Sequence, residues 1–71
     1  MKTKPGDQFS ISVADGYVLM EAVRIRCGDV WDCVPASVTE RGKYEQTYGK
    51  PMVFTDDEVA EKVAWHRKYM S

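Results

Sequence analysis

The feature that most constrains the fold is a turn signal, Asp15-Gly16, between two segments in which apolar and polar residues alternate. Asp-Gly is a favoured two-residue loop for a type I′ hairpin turn. Folding the chain at this point places three apolar residues of each segment on one face, because side chains alternate along a strand. The predicted pairs are Phe9/Ala22, Ile11/Met20 and Val13/Val18. The sequence therefore predicts an antiparallel β-hairpin with one apolar face.

The second strand of this hairpin changes its apolar face part-way along. Beyond Ala22 the apolar residues stand at odd positions, whereas Arg24 and Arg26 take the even ones. A switch of this kind indicates a β-bulge, and bulged strands let a small sheet curl. A second turn signal, Gly28-Asp29, predicts a third strand beginning at Val30.

The register of this second hairpin sets Arg26 beside Trp31 on the outer face. It also turns Cys27 toward the core and Cys33 toward the surface.

The composition supports a sheet. The 71 residues include nine valines and one leucine, and β-branched residues suit a pleated, half-buried surface. Residues 35–50 carry Pro35, Gly42 and Gly49, and we expect a long loop there, with at most a short strand or a single helical turn, since a glycine discourages a long helix. Met52-Val53-Phe54 is a plausible last strand.

A helix is predicted at the C-terminal end, over about 56–69. Thr55 with Glu58 three residues later forms a capping box. We therefore expect an α+β fold in a single domain, 1–71. Its parts are a small curled antiparallel β-meander, SH3-like or half-barrel, of three to five strands over about 8–54, with the one helix packed on it.

Two aromatic residues of this helix lie away from its apolar stripe. On a helical wheel Val59, Val63 and Met70 form the stripe, and Trp65 and Tyr69 fall on the opposite side. Such aromatics can anchor a protein interface. The alternative is that the curled sheet or the long loop covers them, because a core this small needs its large residues.

A wider protein-binding set includes the tyrosines of the 35–50 segment. The predicted protein-binding residues are Trp65, Tyr69, Tyr44 and Tyr48.

A nucleic-acid surface is the alternative site. Arg24, Arg26, Trp31 and Lys43 would place a stacking ring among cationic groups, as single-stranded nucleic-acid modules do. The net charge of −1 argues against a generally basic protein. The competing interpretation is a solvated outer face with Trp31 partly buried under the loop.

Metal and catalytic sites are not expected. Cys27, Cys33 and His66 supply at most three soft ligands, and the two cysteines are separated by five residues rather than set in a short knuckle. No nucleophile with an orienting acid lies near His66 in the sequence, and no glycine-rich phosphate loop is present. We therefore expect no cofactor, no metal and no enzyme activity.

The sequence thus predicts a small non-enzymatic binding module whose partner is another protein. A homodimer through the same helix face and a nucleic-acid partner are the alternatives. With two cysteines and no long apolar run, a cytoplasmic protein without a membrane partner is expected. In size and composition alone, the chain is similar to phage and mobile-element accessory proteins, which implies a role in inhibiting or modulating a host factor.

Overall fold

The computed structural model describes residues 1–14 and 16–70. Neighbouring strands follow the chain order β1-β2-β3-β4, and each pair is antiparallel. The elements are β1 (Gln8–Val13), β2 (Gly16–Cys27), β3 (Val30–Pro35), α1 (Val38–Tyr48), β4 (Met52–Thr55) and α2 (Asp56–Tyr69). The predicted α+β meander with a C-terminal helix packed on it is confirmed.

The first hairpin has the predicted apolar face in a different register. Its pairs are Phe9↔Met20, Ile11↔Val18 and Val13↔Gly16, so the predicted pairing is wrong by two residues. A shift of two leaves every side chain on its original face, and the hydrophobic pattern therefore fits both registers equally well. The predicted type I′ turn includes Asp15, which lies outside the described residues.

Two register shifts in β2, between Ala22 and Arg24 and between Ile25 and Cys27, confirm the predicted bulge. Cys27 pairs with Val30 as predicted. The shifts alter the partners of the other β3 residues, because Trp31 lies opposite Ile25 rather than Arg26. The predicted outer-face pairing of Arg26 with Trp31 is therefore wrong.

The two cysteines also exchange their expected places. Cys33 is buried and Cys27 is exposed. Burial raises the pKa of the Cys33 thiol to about 12, so this side chain is a neutral core residue at ordinary pH.

The core lies inside the curled sheet and under α2. Phe9 on β1 and Phe54 on β4 meet edge to face, with ring centroids 5.6 Å apart, so the first and last strands approach each other across the core. α2 packs along β1 and also contacts β4 and β3. The result is a half-barrel covered on one side by α2. Its buried apolar residues are Phe9, Met20, Ala22, Trp31, Cys33, Val59 and Val63.

A buried carboxylate joins the N-terminal segment to the start of α2. Asp56 accepts the backbone N–H groups of Lys2 at 3.0 Å and Thr3 at 3.1 Å, and the indole N–H of Trp31 at 3.1 Å. These hydrogen bonds, with the Lys2 backbone first, hold the pKa of Asp56 down at about 2. Asp56 therefore fastens three parts of the chain together in addition to its place in the first helical turn.

The expected long loop at 35–50 is wrong, because α1 occupies most of it. Ser37 caps α1 by accepting the N–H of Glu40, and Gly49 ends it in the left-handed conformation (φ 71°), donating to the carbonyl of Glu45. These caps offset the cost of Gly42 inside the helix, about 1 kcal/mol. The Nε–H of Arg41 donates to the carbonyl of Pro35 and ties α1 to the end of β3.

Candidate protein-docking surface

Trp65 and Tyr69 lie on the outside of α2, as the helical wheel predicts. Trp65 is 41% exposed and Tyr69 is 60% exposed. Their ring centroids lie 5.2 Å apart, a contact that results from their spacing of four residues on one helix. The interpretation that the sheet or the 35–50 segment covers both side chains is therefore wrong. Met70, assigned to the apolar stripe, is 45% exposed instead.

A third aromatic residue, which the sequence pattern does not single out, joins this pair. Tyr17 of β2 lies opposite Ser12 of β1, and its ring centroid is 6.2 Å from that of Trp65. Tyr17 is 58% exposed. Its position on the polar face of the predicted hairpin is the signal that could have identified it, since a tyrosine among serines there has no core to enter. We call Tyr17, Trp65 and Tyr69 the aromatic strip.

An open groove runs between the hairpin and α2 beside this strip. It has a volume of about 460 Å³. Two serines of β1 form one wall, and the acidic first turns of α2 form the other. The lining residues are Ser10, Ser12, Tyr17, Glu58, Glu61, Lys62 and Trp65.

The charged side chains that line the groove differ in whether they have partners within the protein. The Glu58 side chain accepts the backbone N–H of Thr55 at 3.0 Å as part of the capping box, and this hydrogen bond lowers the pKa of Glu58. The Lys62 ammonium lies over the ring of Phe54, 5.3 Å from its centroid. Within the described parts of the chain, Glu61 has no ion-pair partner.

Tyr44 and Tyr48 do not join the aromatic strip. Their rings contact each other on α1 with centroids 4.8 Å apart. They line a second groove of about 350 Å³ together with Val13 and Val18. Because Val13 and Ser12 point to opposite faces of the hairpin, the two aromatic pairs lie on different sides of it. The structure thus divides the predicted protein-binding set in two.

The alternative nucleic-acid set is not assembled as predicted. Trp31 is only 2% exposed, so its ring is a core element and offers no face for stacking. Arg24 and Arg26 do lie on the outer face, where each donates from Nε to one oxygen of Asp32, at 3.1 Å and 2.6 Å. The bulges of β2 bring Asp32 beside the arginines, and the side-chain hydrogen bond from Arg26 is the largest cause of its lowered pKa. Lys43, on α1, lines the second groove.

His66 is paired with a hydroxyl that is distant in the sequence. Its Nδ1 lies 2.9 Å from Oγ of Ser10, so the two side chains fasten α2 to β1. Within residues 1–14 and 16–70, no acid hydrogen-bonds to the His66 ring, as an orienting group in a catalytic triad would. The hydrogen bond between Ser10 and His66 contributes to the packing of α2 on β1.

Comparison with known proteins yields no match to any protein-family model, to any curated protein or to any solved structure. None of the helices in the described residues is long and apolar enough to cross a membrane. Over the same residues, no three His, Cys, Asp or Glu side chains are grouped so as to hold a metal ion.

Proposed function

We propose that this protein is a small non-enzymatic binding module that docks onto another protein through the aromatic strip. The observation that carries the proposal is the contact of Tyr17, Trp65 and Tyr69 in solvent. Tyr and Trp are enriched among the residues that dominate binding energy, because they present large rigid contact areas. Holding rings from two different elements together in advance lowers the entropy lost on binding.

Two further properties belong to this proposal. An exposed free thiol at Cys27 supports a reducing, cytoplasmic setting, where thiols persist. A role in inhibiting or modulating a host factor, as in phage accessory proteins, is consistent with a small chain that carries three exposed rings in contact with one another. Tyr44 and Tyr48 form a secondary contact on the other side of the hairpin.

Site-specific photocrosslinking tests the docking surface directly. We replace Tyr69 with photoreactive p-benzoylphenylalanine, and we place the same group at Ile25, an exposed residue near the end of β2, as the control. Irradiation in the source cells is expected to give a discrete protein adduct from position 69 and none from position 25. Equal adducts from both positions, or none from 69, would contradict the proposal.

Nucleic-acid binding is the second candidate, and one observation favours it. Asp32 accepts from the Nε groups of Arg24 and Arg26, whose side chains remain 72% and 50% exposed, so both guanidinium groups are accessible from solvent. Two guanidinium groups fixed in this way can contact phosphates. The affinity for nucleic acid would fall steeply with added salt, and it would fall again in the Arg24→Ala/Arg26→Ala double variant. Docking of a protein onto the aromatic strip would not change in that variant.

A homodimer through the α2 face is the third arrangement. Sedimentation equilibrium over a range of concentrations distinguishes it. A molecular mass that rises with concentration in the wild type and stays monomeric in Tyr69→Ala would assign the strip to self-association. If the protein is monomeric at every concentration, the aromatic strip does not mediate self-association and is available to a different protein.

A further inference from the structure

The groove beside the aromatic strip has an unbalanced charge. Its lining holds two carboxylates, Glu58 and Glu61, against the single ammonium of Lys62. Lys62 is turned onto the ring of Phe54, and Glu58 is engaged by the Thr55 backbone. The Glu61 carboxylate is therefore the charged group of the groove that is available to pair with an incoming ligand.

Glu61 and the aromatic strip face the same ligand. Glu61 precedes Trp65 by four residues, so the two side chains are neighbours on one face of α2. Tyr17 completes the site from the hairpin, and Ser12 adds a hydroxyl. Aromatic ring faces carry negative electrostatic potential and attract cations, and a nearby carboxylate attracts them further.

This combination discriminates among occupants. An acidic side chain or a phosphate would meet two carboxylates and the negative faces of the rings. A purely apolar side chain would cover Glu61 without pairing its charge, at a desolvation cost. A cation with an apolar stem meets neither penalty, because the stem covers the rings while the charged end reaches Glu61.

We infer that the groove between Tyr17 and Trp65 receives an arginine or lysine side chain of the partner protein. The inference rests on the proposed docking function and adds the chemistry of the partner to it. The ring faces of Tyr17 and Trp65 contact the stem and the cation, and Glu61 forms the ion pair.

Short capped peptides test this without knowledge of the partner. The probes are pentapeptides with a central arginine, lysine or norleucine flanked by glycine and serine. Each is titrated into ¹⁵N-labelled wild-type protein, and the shifts of Ser12, Tyr17, Glu61 and the Trp65 indole N–H are followed. We expect the arginine and lysine peptides to shift these signals and the norleucine peptide to leave them unchanged.

Variants locate the interaction. Glu61→Gln is expected to weaken binding of the arginine peptide by about two- to fivefold, the range of an exposed ion pair. Trp65→Ala is expected to weaken it by a similar factor of about two to five, through loss of cation–π contact. The matched control is Glu45→Gln, which removes an exposed carboxylate from α1 and leaves the affinity unchanged.

The inference is overturned if no peptide shifts the groove signals, if norleucine binds as well as arginine, or if Glu61→Gln has no effect. These failures are distinct from failure of the docking function. If the photocrosslink from position 69 still forms while the charged peptides leave the groove unperturbed, the docking surface stands and its partner is not recognised through a cation.

Discussion

At the scale of single residues, Asp56 does the most to hold distant segments together. Its carboxylate receives two backbone N–H groups of the N-terminal segment and the indole N–H of Trp31. Its folded pKa is lowered to about 2 from an ordinary 3.8. A lowered folded pKa means that this stabilisation is present above the unfolded pKa and disappears as the pH falls through the folded value.

We therefore predict that Asp56→Asn lowers the stability at neutral pH and flattens its pH dependence between about pH 4 and pH 2. Urea unfolding at a series of pH values measures this. Asp57→Asn is the control. Asp57 lies in the same helical turn as Asp56, but its carboxylate is exposed and pairs with the Lys2 side chain. An unchanged acid slope in Asp56→Asn would show that Asp56 does not carry the effect.

Core and surface aromatics should respond differently to truncation. Phe9→Ala is expected to cost about 3–5 kcal/mol of unfolding free energy, because it empties a fully buried site. That is a large part of the stability of a domain this small. Trp65→Ala is expected to cost about 1–2 kcal/mol and to leave the chain folded. Chemical denaturation of both variants measures the difference, and an unfolded Trp65→Ala would place Trp65 in the core.

At the scale of elements, α1 carries a glycine at a position that tolerates a larger residue. A Cβ added at Gly42 meets no atom within 4 Å, and its backbone has no positive φ. Gly42→Ala should therefore stabilise the protein by about 0.5–1 kcal/mol, by lowering the entropy of the unfolded chain.

The corresponding rise in melting temperature is about 2–8 °C. Gly49→Ala is the matched control, because Gly49 has a φ of 71° and alanine is strained there. It should lower the melting temperature. A destabilising Gly42→Ala would contradict the helical assignment of α1.

The elements differ in how far the sequence predicts them. α2 is predictable in full because Thr55 and Glu58 form a local capping box, which depends on no distant contact. The sequence also contains both capping residues of α1, Ser37 and Gly49. A loop is expected instead because the helix-breaking tendency of Gly42 is taken as stronger than these two capping signals. The bulges of β2 are visible in the change of apolar parity, whereas the pairing of Arg24 with Asp32 is not.

Sequence distance explains the remaining misses at the site. Tyr17 and Trp65 lie near opposite ends of the chain, and only the packing of α2 along β1 brings them together. The predicted register sets Trp31 on the outer face and leaves its burial open; Trp31 lies in the core because the shifted register places it opposite Ile25 and turns Asp32 toward the arginines. The position of Trp65 and Tyr69 away from the apolar stripe is predicted correctly because the helical period alone sets it, whereas the sequence leaves open whether other elements cover them.

At the scale of the whole molecule, seven apolar side chains of the described residues form the core of the half-barrel and α2, and the rings of Tyr17, Trp65 and Tyr69 lie exposed in contact with one another. A domain this small has few large side chains available for burial. Their exposure as one strip is the basis of the proposed docking function.

The most direct test is quantitative capture of partner protein from the source cells on immobilised wild type, Trp65→Ala and Ile25→Ala, after each variant is shown to be folded. Ile25 is a suitable control because it is an exposed apolar residue near the end of β2, eight residues along the strand from Tyr17. We predict that wild type and Ile25→Ala retain the same partner and that Trp65→Ala loses at least about 90% of it, the effect of about 1.4 kcal/mol. Retention by folded Trp65→Ala at the wild-type level would contradict the account.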